Sequence, residues 1–251
     1  MISAKGSFFI FNFAHRSIKI KVLSFNFSDD ISIKYATRFI YFEINLIISG
    51  VAFTGSSAVA KQIKRNLVKN GNPEARVIAE TGGLNAMVVD STALCEQVTR
   101  DVIDGAFKSA GQRCSALRIL MIQEECFDET LKMIQGAMME LKIGNPKYLS
   151  TDCGPVINYD AQVKLQSYIE ISRKRNQIIG EIQCDLKTGY YVTPTIINLK
   201  SIDEINEEFF GPILHLISYK SNELESMIDQ LNTKGFGLTF GIHSRIDKQV
   251  E

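Results

Sequence analysis

The sequence has no excess of charge of either sign and no long apolar run. Its 251 residues include 28 basic and 28 acidic side chains, so the formal net charge is zero. Proteins that bind nucleic acid or anionic membranes usually carry a basic excess, so we expect neither partner and expect small-molecule ligands instead. The apolar stretch at 8–13 is too short to span a bilayer, and the one at 39–55 contains Glu43. Neither predicts a transmembrane helix.

Paired cysteines and clustered histidines are also lacking. The cysteines form no C-x-x-C motif and have no histidines at ligand spacing; they are Cys95, Cys114, Cys126, Cys153 and Cys184. This pattern disfavours a disulfide framework and a structural zinc site. It favours a reducing compartment, so we expect a cytoplasmic protein. His15, His215 and His243 are isolated, which gives little support to a Ser-His-Asp or Cys-His arrangement, and the last two are expected in or beside strands.

The first 50 residues differ in composition from the rest. They hold 8 of the 15 phenylalanines, 10 isoleucines, no proline and a local net charge of +3. Alternation at 18–22 predicts a strand, but the segment lacks the glycine and proline that mark turns. The stretch at 7–14 meets the pattern of a signal peptide only marginally. We therefore expect residues 1–47 to be an unassigned leader that does not fold as a unit.

From about residue 48, short apolar strands alternate with amphipathic helices. This alternation predicts an α/β fold. The apolar run at 116–122 is typical of a strand buried on both faces. Asp90, Ser91 or Thr92 is expected to cap the second helix. Strands are expected near 51–54, 76–79, 86–89, 116–122, 178–182, 191–199, 213–219 and 238–243, and helices near 58–69, 94–106, 127–141, 161–174 and 222–231.

Two of the candidate functional residues carry reactive groups. Cys114 follows Arg113 in the loop before the buried strand, where a nearby cation can raise the thiolate fraction. The other interpretation is that such a cysteine is a small apolar residue buried in the core. Glu80 lies at a strand end before Gly82 and Gly83, which permit a tight loop. Its carboxylate either faces a cleft or is simply an exposed loop side chain.

Two further positions are candidates on weaker local signals. Ser56 lies at a helix start, where backbone N–H groups can bind a phosphate, although most such serines only cap the helix. The segment EFFGP at 208–212 is typical of a turn before a strand. Locally, neither pattern settles a function.

The order and spacing of these motifs resemble the aldehyde dehydrogenase superfamily. The motifs are FTGS at 53–56, ETGG at 80–83, GQRC at 111–114 and EFFGP at 208–212. The sequence around ETGG and GQRC is most similar to that of the L-glutamate γ-semialdehyde (Δ1-pyrroline-5-carboxylate) dehydrogenase module of proline utilization A. The resemblance runs from about residue 48 to the last residue. It implies a catalytic domain of the aldehyde dehydrogenase type at 80–251, preceded by a strand–helix remnant of the NAD-binding domain at 48–79.

The resemblance also implies the roles of individual residues. Cys114 matches the nucleophile that forms a thiohemiacetal and then a thioester, and its backbone N–H matches one oxyanion donor. Glu80 matches the general base that activates water for thioester hydrolysis. The implied reaction is NAD(P)-dependent oxidation of an aldehyde, with L-glutamate γ-semialdehyde as the implied substrate and glutamate as the product.

The implied cofactor contacts lie in three of the motifs. Ser56 matches the serine that meets the cofactor pyrophosphate at a helix N-terminus. The backbone of Thr81 matches the position that holds the nicotinamide carboxamide. Glu208 resembles the glutamate that binds the nicotinamide ribose hydroxyls, and Phe210 the ring that packs near the nicotinamide. The implied cofactor is NAD or NADP.

Parts of the family pattern are not found in this sequence. There is no tryptophan and no proline before Pro73, so the Pro-Trp-Asn-like motif that carries the second oxyanion donor is missing. We therefore expect a truncated copy, shortened at its C-terminal end as well. Two function classes stay open: an oxidoreductase that works with a complementary half or as a homo-oligomer, and a non-catalytic fragment. For the chain alone we expect no appreciable aldehyde oxidation, and self-association through an uncovered strand edge.

Overall fold

The structure of the chain is a computed structural model that describes residues 5–14, 17–26, 50–70, 72–184, 186, 188–246 and 248. Residues 5–14, 17–26 and 70 are described by their backbone alone. The chain divides into two compact units, of which the first ends at Gly82 and the second begins at Gly83. The leader expected at 1–47 lies partly outside the described residues.

The described part of the first unit is a four-stranded sheet with one helix. Its sheet order is β2-β1-β3-β4, in which β3 and β4 run parallel and β1 is antiparallel to both of its neighbours. Apolar residues of β3 and α1 form a small core that includes Phe53 and Leu67. The elements are β1 (Lys5–Ala14), β2 (Ser17–Asn26), β3 (Gly50–Gly55), α1 (Ser57–Asn70) and β4 (Arg76–Thr81).

Strand β3 is paired on both sides, with β4 and with β1. Strand β1 lies along it in antiparallel register, with Phe8 opposite Phe53 and Ile10 opposite Val51. Strands β2 and β4 lie at the two ends of this sheet, so the uncovered strand edge and the self-association expected from it stay predictions. The run FFIFNF at 8–13 consists mostly of residues with high β-propensity, which favours such pairing. The strand predicted at 18–22 is confirmed as part of β2.

The second unit is built on a six-stranded sheet. Its order is β10-β5-β6-β9-β8-β7, and every neighbouring pair is parallel except β7 with β8. The predicted α/β class is confirmed. The elements are β5 (Ala86–Val89), α2 (Cys95–Ala106), β6 (Ile119–Gln123), α3 (Phe127–Met139), α4 (Tyr159–Lys174), β7 (Ile178–Glu181), β8 (Thr195–Asn198), β9 (Ile213–Tyr219), α5 (Leu224–Thr233) and β10 (Phe240–His243).

Strand β6 is buried on both faces, as the apolar run predicts. Leu120 and Ile122 pack into one hydrophobic cluster together with buried residues of α2 and α3. Ile119 and Met121 pack into the other cluster, which includes buried residues of α4 and α5. Successive side chains of a strand point to opposite faces, so this one strand contributes to the two layers that cover the sheet.

The start of helix α2 differs from the expectation. Its N-cap is Leu94, which makes no side-chain hydrogen bond to the helix. The Asp90 carboxylate instead accepts hydrogen bonds from the backbone N–H of Thr92 at 2.7 Å and from its hydroxyl at 2.6 Å. Asp90 thus stabilises a turn before the helix, because a short carboxylate readily bonds the backbone two residues ahead. None of the described helices is both long enough and apolar enough to cross a membrane.

Candidate functional site

The GQRC and EFFGP motifs come together at one edge of the second sheet. GQRC lies shortly before β6, and EFFGP ends directly before β9. These two strands are neighbours and run parallel. The amino ends of parallel neighbours lie at the same edge, which brings together motifs that are about 100 residues apart in sequence.

Cys114 lies exposed in the loop before β6. The carbonyl of the preceding residue, Arg113, accepts a hydrogen bond from Arg118 Nη2 at 3.2 Å. The Cys114 carbonyl accepts one from Asn85 Nδ2 at 2.7 Å. Asn85 and Arg118 are 2% and 1% exposed. Two buried side chains therefore fix the backbone on either side of an accessible thiol.

A left-handed turn leads into this loop. Ser109, Ala110 and Gly111 have φ values of 59°, 52° and 63°. Non-glycine residues seldom adopt this conformation, and such strain is commonly found near functional sites. A Cβ on Gly111 would overlap the carbonyl oxygen of Gly211 and lie 2.6 Å from its carbonyl carbon. Glycine is required here because the two motifs touch through their backbones.

The two phenylalanines of EFFGP have different surroundings. Phe209 is buried and stacks on Tyr168, with ring centroids 3.6 Å apart and planes 10° from parallel. Phe210 is 42% exposed, and the guanidinium carbon of Arg118 lies 5.3 Å from its ring centroid. Phe209 anchors the segment in the core, while the Phe210 ring is available to a ligand.

Glu208 pairs with the same arginine. Its Oε1 accepts hydrogen bonds from Arg118 Nη2 at 3.1 Å and from Nε at 3.4 Å. The Glu208 side chain is 16% exposed and that of Arg118 is 1% exposed. Burial raises the pKa of the Glu208 carboxyl above its usual value, and the attraction of Arg118 opposes this rise. Burial likewise lowers the pKa of Arg118, but a guanidinium remains charged in proteins at neutral pH.

A buried histidine, His215, contacts the backbone of the arginine in this ion pair. His215 Nδ1 is 2.9 Å from the carbonyl oxygen of Arg118, and its Nε2 is 2.9 Å from the hydroxyl of Tyr168. A carbonyl only accepts, so Nδ1 carries the proton and Nε2 accepts from the tyrosine. Burial lowers the pKa of His215 to about 4, which leaves the ring neutral at neutral pH. Its predicted place in a strand is confirmed, since it lies in β9.

The Arg113 side chain binds the carbonyl end of helix α2. Its Nη2 donates to the carbonyls of Asp104 at 2.6 Å and Gly105 at 3.4 Å, in the last turn of α2. This placement is favourable because a cation interacts well with the carbonyl end of a helix. The Arg113 carbonyl accepts the hydrogen bond from Arg118 described above.

Three predicted site residues lie in the first unit. Ser56 precedes α1 and is exposed, and its Oγ accepts a hydrogen bond from the N–H of Val59 at 3.3 Å. Glu80 is exposed near the end of β4, and Thr81 is the last residue of that strand and half-buried. The structure thus brings Cys114 together with the EFFGP motif in the second unit and places the other three residues in the first.

Sequence reasoning assigned no role in the site to Asn85, Arg118 or His215. The sequence carried a signal for two of them. Arg118 is a lone charge beside the apolar run of β6, and Asn85 is a lone amide before β5. A polar group that is buried at either place needs a hydrogen-bond partner. In the described part of the chain, no group of three or more histidine, cysteine, aspartate or glutamate side chains is arranged to hold a metal ion.

The chain resembles known proteins over most of its length. The sequence profile of the aldehyde dehydrogenase family matches residues 45–251. The bifunctional protein PutA of Klebsiella aerogenes is 46% identical over 213 residues, a match that covers 81% of this chain and 16% of that protein.

Two solved structures agree with this match. A mutant of Bradyrhizobium japonicum proline utilization A (PutA) has a TM-score of 0.82 at 41% identity, covering 87% of this chain and 22% of that one. The 1-pyrroline-5-carboxylate dehydrogenase from Thermus, solved with bound NAD, has a TM-score of 0.73 at 26% identity, covering 86% and 42%. The chain thus spans less than half the length of each of these relatives. Since the profile match extends over most of the chain, the chain belongs to the aldehyde dehydrogenase family.

Proposed function

We propose that this chain carries the nucleophile and the nicotinamide-side contacts of an NAD(P)-dependent aldehyde dehydrogenase that oxidises L-glutamate γ-semialdehyde to glutamate. The observation that carries the proposal is the exposed Cys114, held by Asn85 and Arg118 next to the Glu208–Gly211 segment. The names of the relatives, PutA and 1-pyrroline-5-carboxylate dehydrogenase, support this substrate.

The proposed reaction uses two catalytic residues. The thiolate of Cys114 attacks the aldehyde carbon and forms a C–S bond, while the backbone N–H of Cys114 donates to the developing oxyanion. NAD(P), when bound, would accept the hydride that leaves this carbon, and a thioester on Cys114 results. Glu80 then takes a proton from a water molecule, whose oxygen attacks the thioester carbon. The C–S bond breaks, which releases the carboxylate product and restores the thiol.

The residues proposed for the cofactor fit its chemistry. Glu208 binds Arg118 through Oε1, and a carboxylate has further lone pairs that can accept from ribose hydroxyls. The exposed ring of Phe210 can pack against a nicotinamide. Ser56 lies at the amino end of α1, where the helix dipole and amide groups favour a pyrophosphate. The backbone of Thr81 is proposed to hold the carboxamide.

The first test is NADH formation. The purified chain, alone and with a candidate complementary half, is mixed with NAD and L-glutamate γ-semialdehyde, and absorbance of NADH is followed. We expect no appreciable formation by the chain alone and clear formation with the complementary half. Cys114→Ala should abolish it, because the C–S bond cannot form without the thiol. If the folded chain forms no NADH in either setting, the proposal fails and the non-catalytic fragment is favoured.

A second prediction concerns the thiols. Cys114 is expected to react fastest with limiting iodoacetamide in the native chain near neutral pH, because it is exposed. Burial raises the pKa of Cys153 to about 12 and also raises that of Cys126, which lowers their thiolate fractions. Mass spectrometry of the labelled peptides measures each rate. Equal labelling of all five cysteines would contradict the assignment.

A third prediction concerns the proposed base. In a preparation that forms NADH, Glu80→Gln is expected to slow turnover while a first burst of NADH survives, since the amide cannot take the proton of water. Stopped-flow absorbance separates the two phases. Loss of the burst together with turnover would show that Glu80 positions groups for hydride transfer instead.

A further inference from the structure

Arg118 is a charged side chain buried where an unpaired cation would be strongly unfavourable. Arg118 is only 1% exposed to solvent. Buried charges are tolerated when hydrogen bonds and an opposite charge satisfy them. The partners of this guanidinium therefore indicate what it holds in place.

Every hydrogen-bond partner of the Arg118 side chain named above belongs to the GQRC motif or to the EFFGP motif. Nη2 donates to the Arg113 carbonyl, next to Cys114, at 3.2 Å. Nη1 donates to the Gly211 carbonyl at 3.2 Å, and Nη2 and Nε both bond Glu208 Oε1. One planar group thus binds the loop that carries the thiol and both ends of the Glu208–Gly211 segment.

The backbone of Arg118 is itself fixed. Its N–H donates to the carbonyl of Asn85 at 2.9 Å, and its carbonyl accepts from both the backbone N–H and Nδ1 of His215, each at 2.9 Å. Asn85 directly precedes β5, and His215 lies in β9. The guanidinium therefore extends from a frame that is bonded to the sheet on two sides.

We propose that Arg118 is a positioning residue that holds the Cys114 loop and the Glu208–Gly211 segment in one fixed geometry. The inference rests on the proposed function, because the roles of Cys114 and Glu208 come from it. Lysine cannot replace this residue, since its single ammonium lacks the planar fork that bonds two carbonyls and a carboxylate at once.

Hydrogen–deuterium exchange of the full chain tests this proposal. Arg118→Lys is expected to speed amide exchange about 10-fold in the peptides that cover 111–117 and also in those that cover 208–213, because charged hydrogen bonds to both segments are lost. Peptides from α3 should be unchanged. Arg173→Lys is the matched control, because Arg173 is a largely exposed arginine on α4 that pairs with Glu170 and Glu181. It should leave both motif peptides unchanged.

A second variant adds a readout that stability alone would not move. Arg118→Ala should show fast exchange in both segments, and millimolar guanidinium chloride should restore slow exchange whereas methylammonium should not. Guanidinium generally weakens folded proteins, so restored protection arises only if the ion fills the vacated position. Should Arg118→Ala fail to fold, the Arg118→Lys comparison still decides.

Three results would overturn the proposal. These are faster exchange in only one segment of Arg118→Lys, no change in either, or equal acceleration throughout the second unit, which would indicate a contribution to stability alone. None of these measurements needs a cofactor or turnover. Failure of NADH formation would therefore count against the proposed function, and the exchange experiment would separately decide the role of Arg118.

Discussion

Replacing Gly111 with alanine is expected to lower the free energy of unfolding by about 3 kcal/mol, from the left-handed backbone and the steric overlap together. Gly111 has a φ of 63°, and an added Cβ would lie 2.6 Å from the carbonyl carbon of Gly211 and 2.9 Å from the carbonyl oxygen of Ala106. These neighbours are backbone atoms, so relief requires the two motifs to move apart. Urea unfolding of the variant and the parent chain measures the difference.

Gly136→Ala is the matched control. Gly136 lies in helix α3, is exposed, and an added Cβ there would meet no atom within 4 Å. Alanine at this position is expected to stabilise the chain by about 0.5 to 1 kcal/mol, since glycine disfavours a helix interior. If Gly111→Ala unfolded at the same urea concentration as the parent, the close approach of the two motifs would be contradicted.

Strands that are bounded by strong sequence signals were predictable. The bounds predicted for β5 and β9 agree with the structure at both ends, because apolar runs there end in turn-forming or polar residues. Strand β8 is shorter than the pattern at 191–199 indicates and begins at Thr195. The reason is Pro194, which has no N–H to donate to a neighbouring strand.

The contacts of the site were less predictable than its residues. The motifs name Cys114, Glu208 and Phe210, but the ion pair between Arg118 and Glu208 joins residues 90 positions apart. That pairing depends on β6 and β9 being neighbours in the sheet. Strand order results from tertiary packing, which local periodicity does not encode. The pairing of β1 with β3 could not be predicted for the same reason.

The stability of the chain is expected to fall in acid through His215. Burial lowers the pKa of this residue to about 4 in the folded chain, whereas its ordinary value is 6.5. Between these two pH values the unfolded chain binds a proton that the folded chain does not, so stability decreases as pH falls through the window. The contribution is fully present above pH 6.5, and the loss by pH 4 is about 3 kcal/mol.

Two variants separate His215 from the carboxylates that also titrate in acid. His215→Asn cannot bind the proton, so the loss of unfolding free energy between pH 6.5 and 4.5 should be clearly smaller than in the parent, although the variant is less stable at pH 7.5. Tyr168→Phe removes the hydroxyl that donates to Nε2 but keeps the imidazole buried. It should retain the pH dependence of the parent, because burial is the main cause of the lowered pKa. Urea unfolding at four pH values measures all three chains, and parallel stability curves for the parent and His215→Asn would show that this histidine does not titrate as its buried position requires.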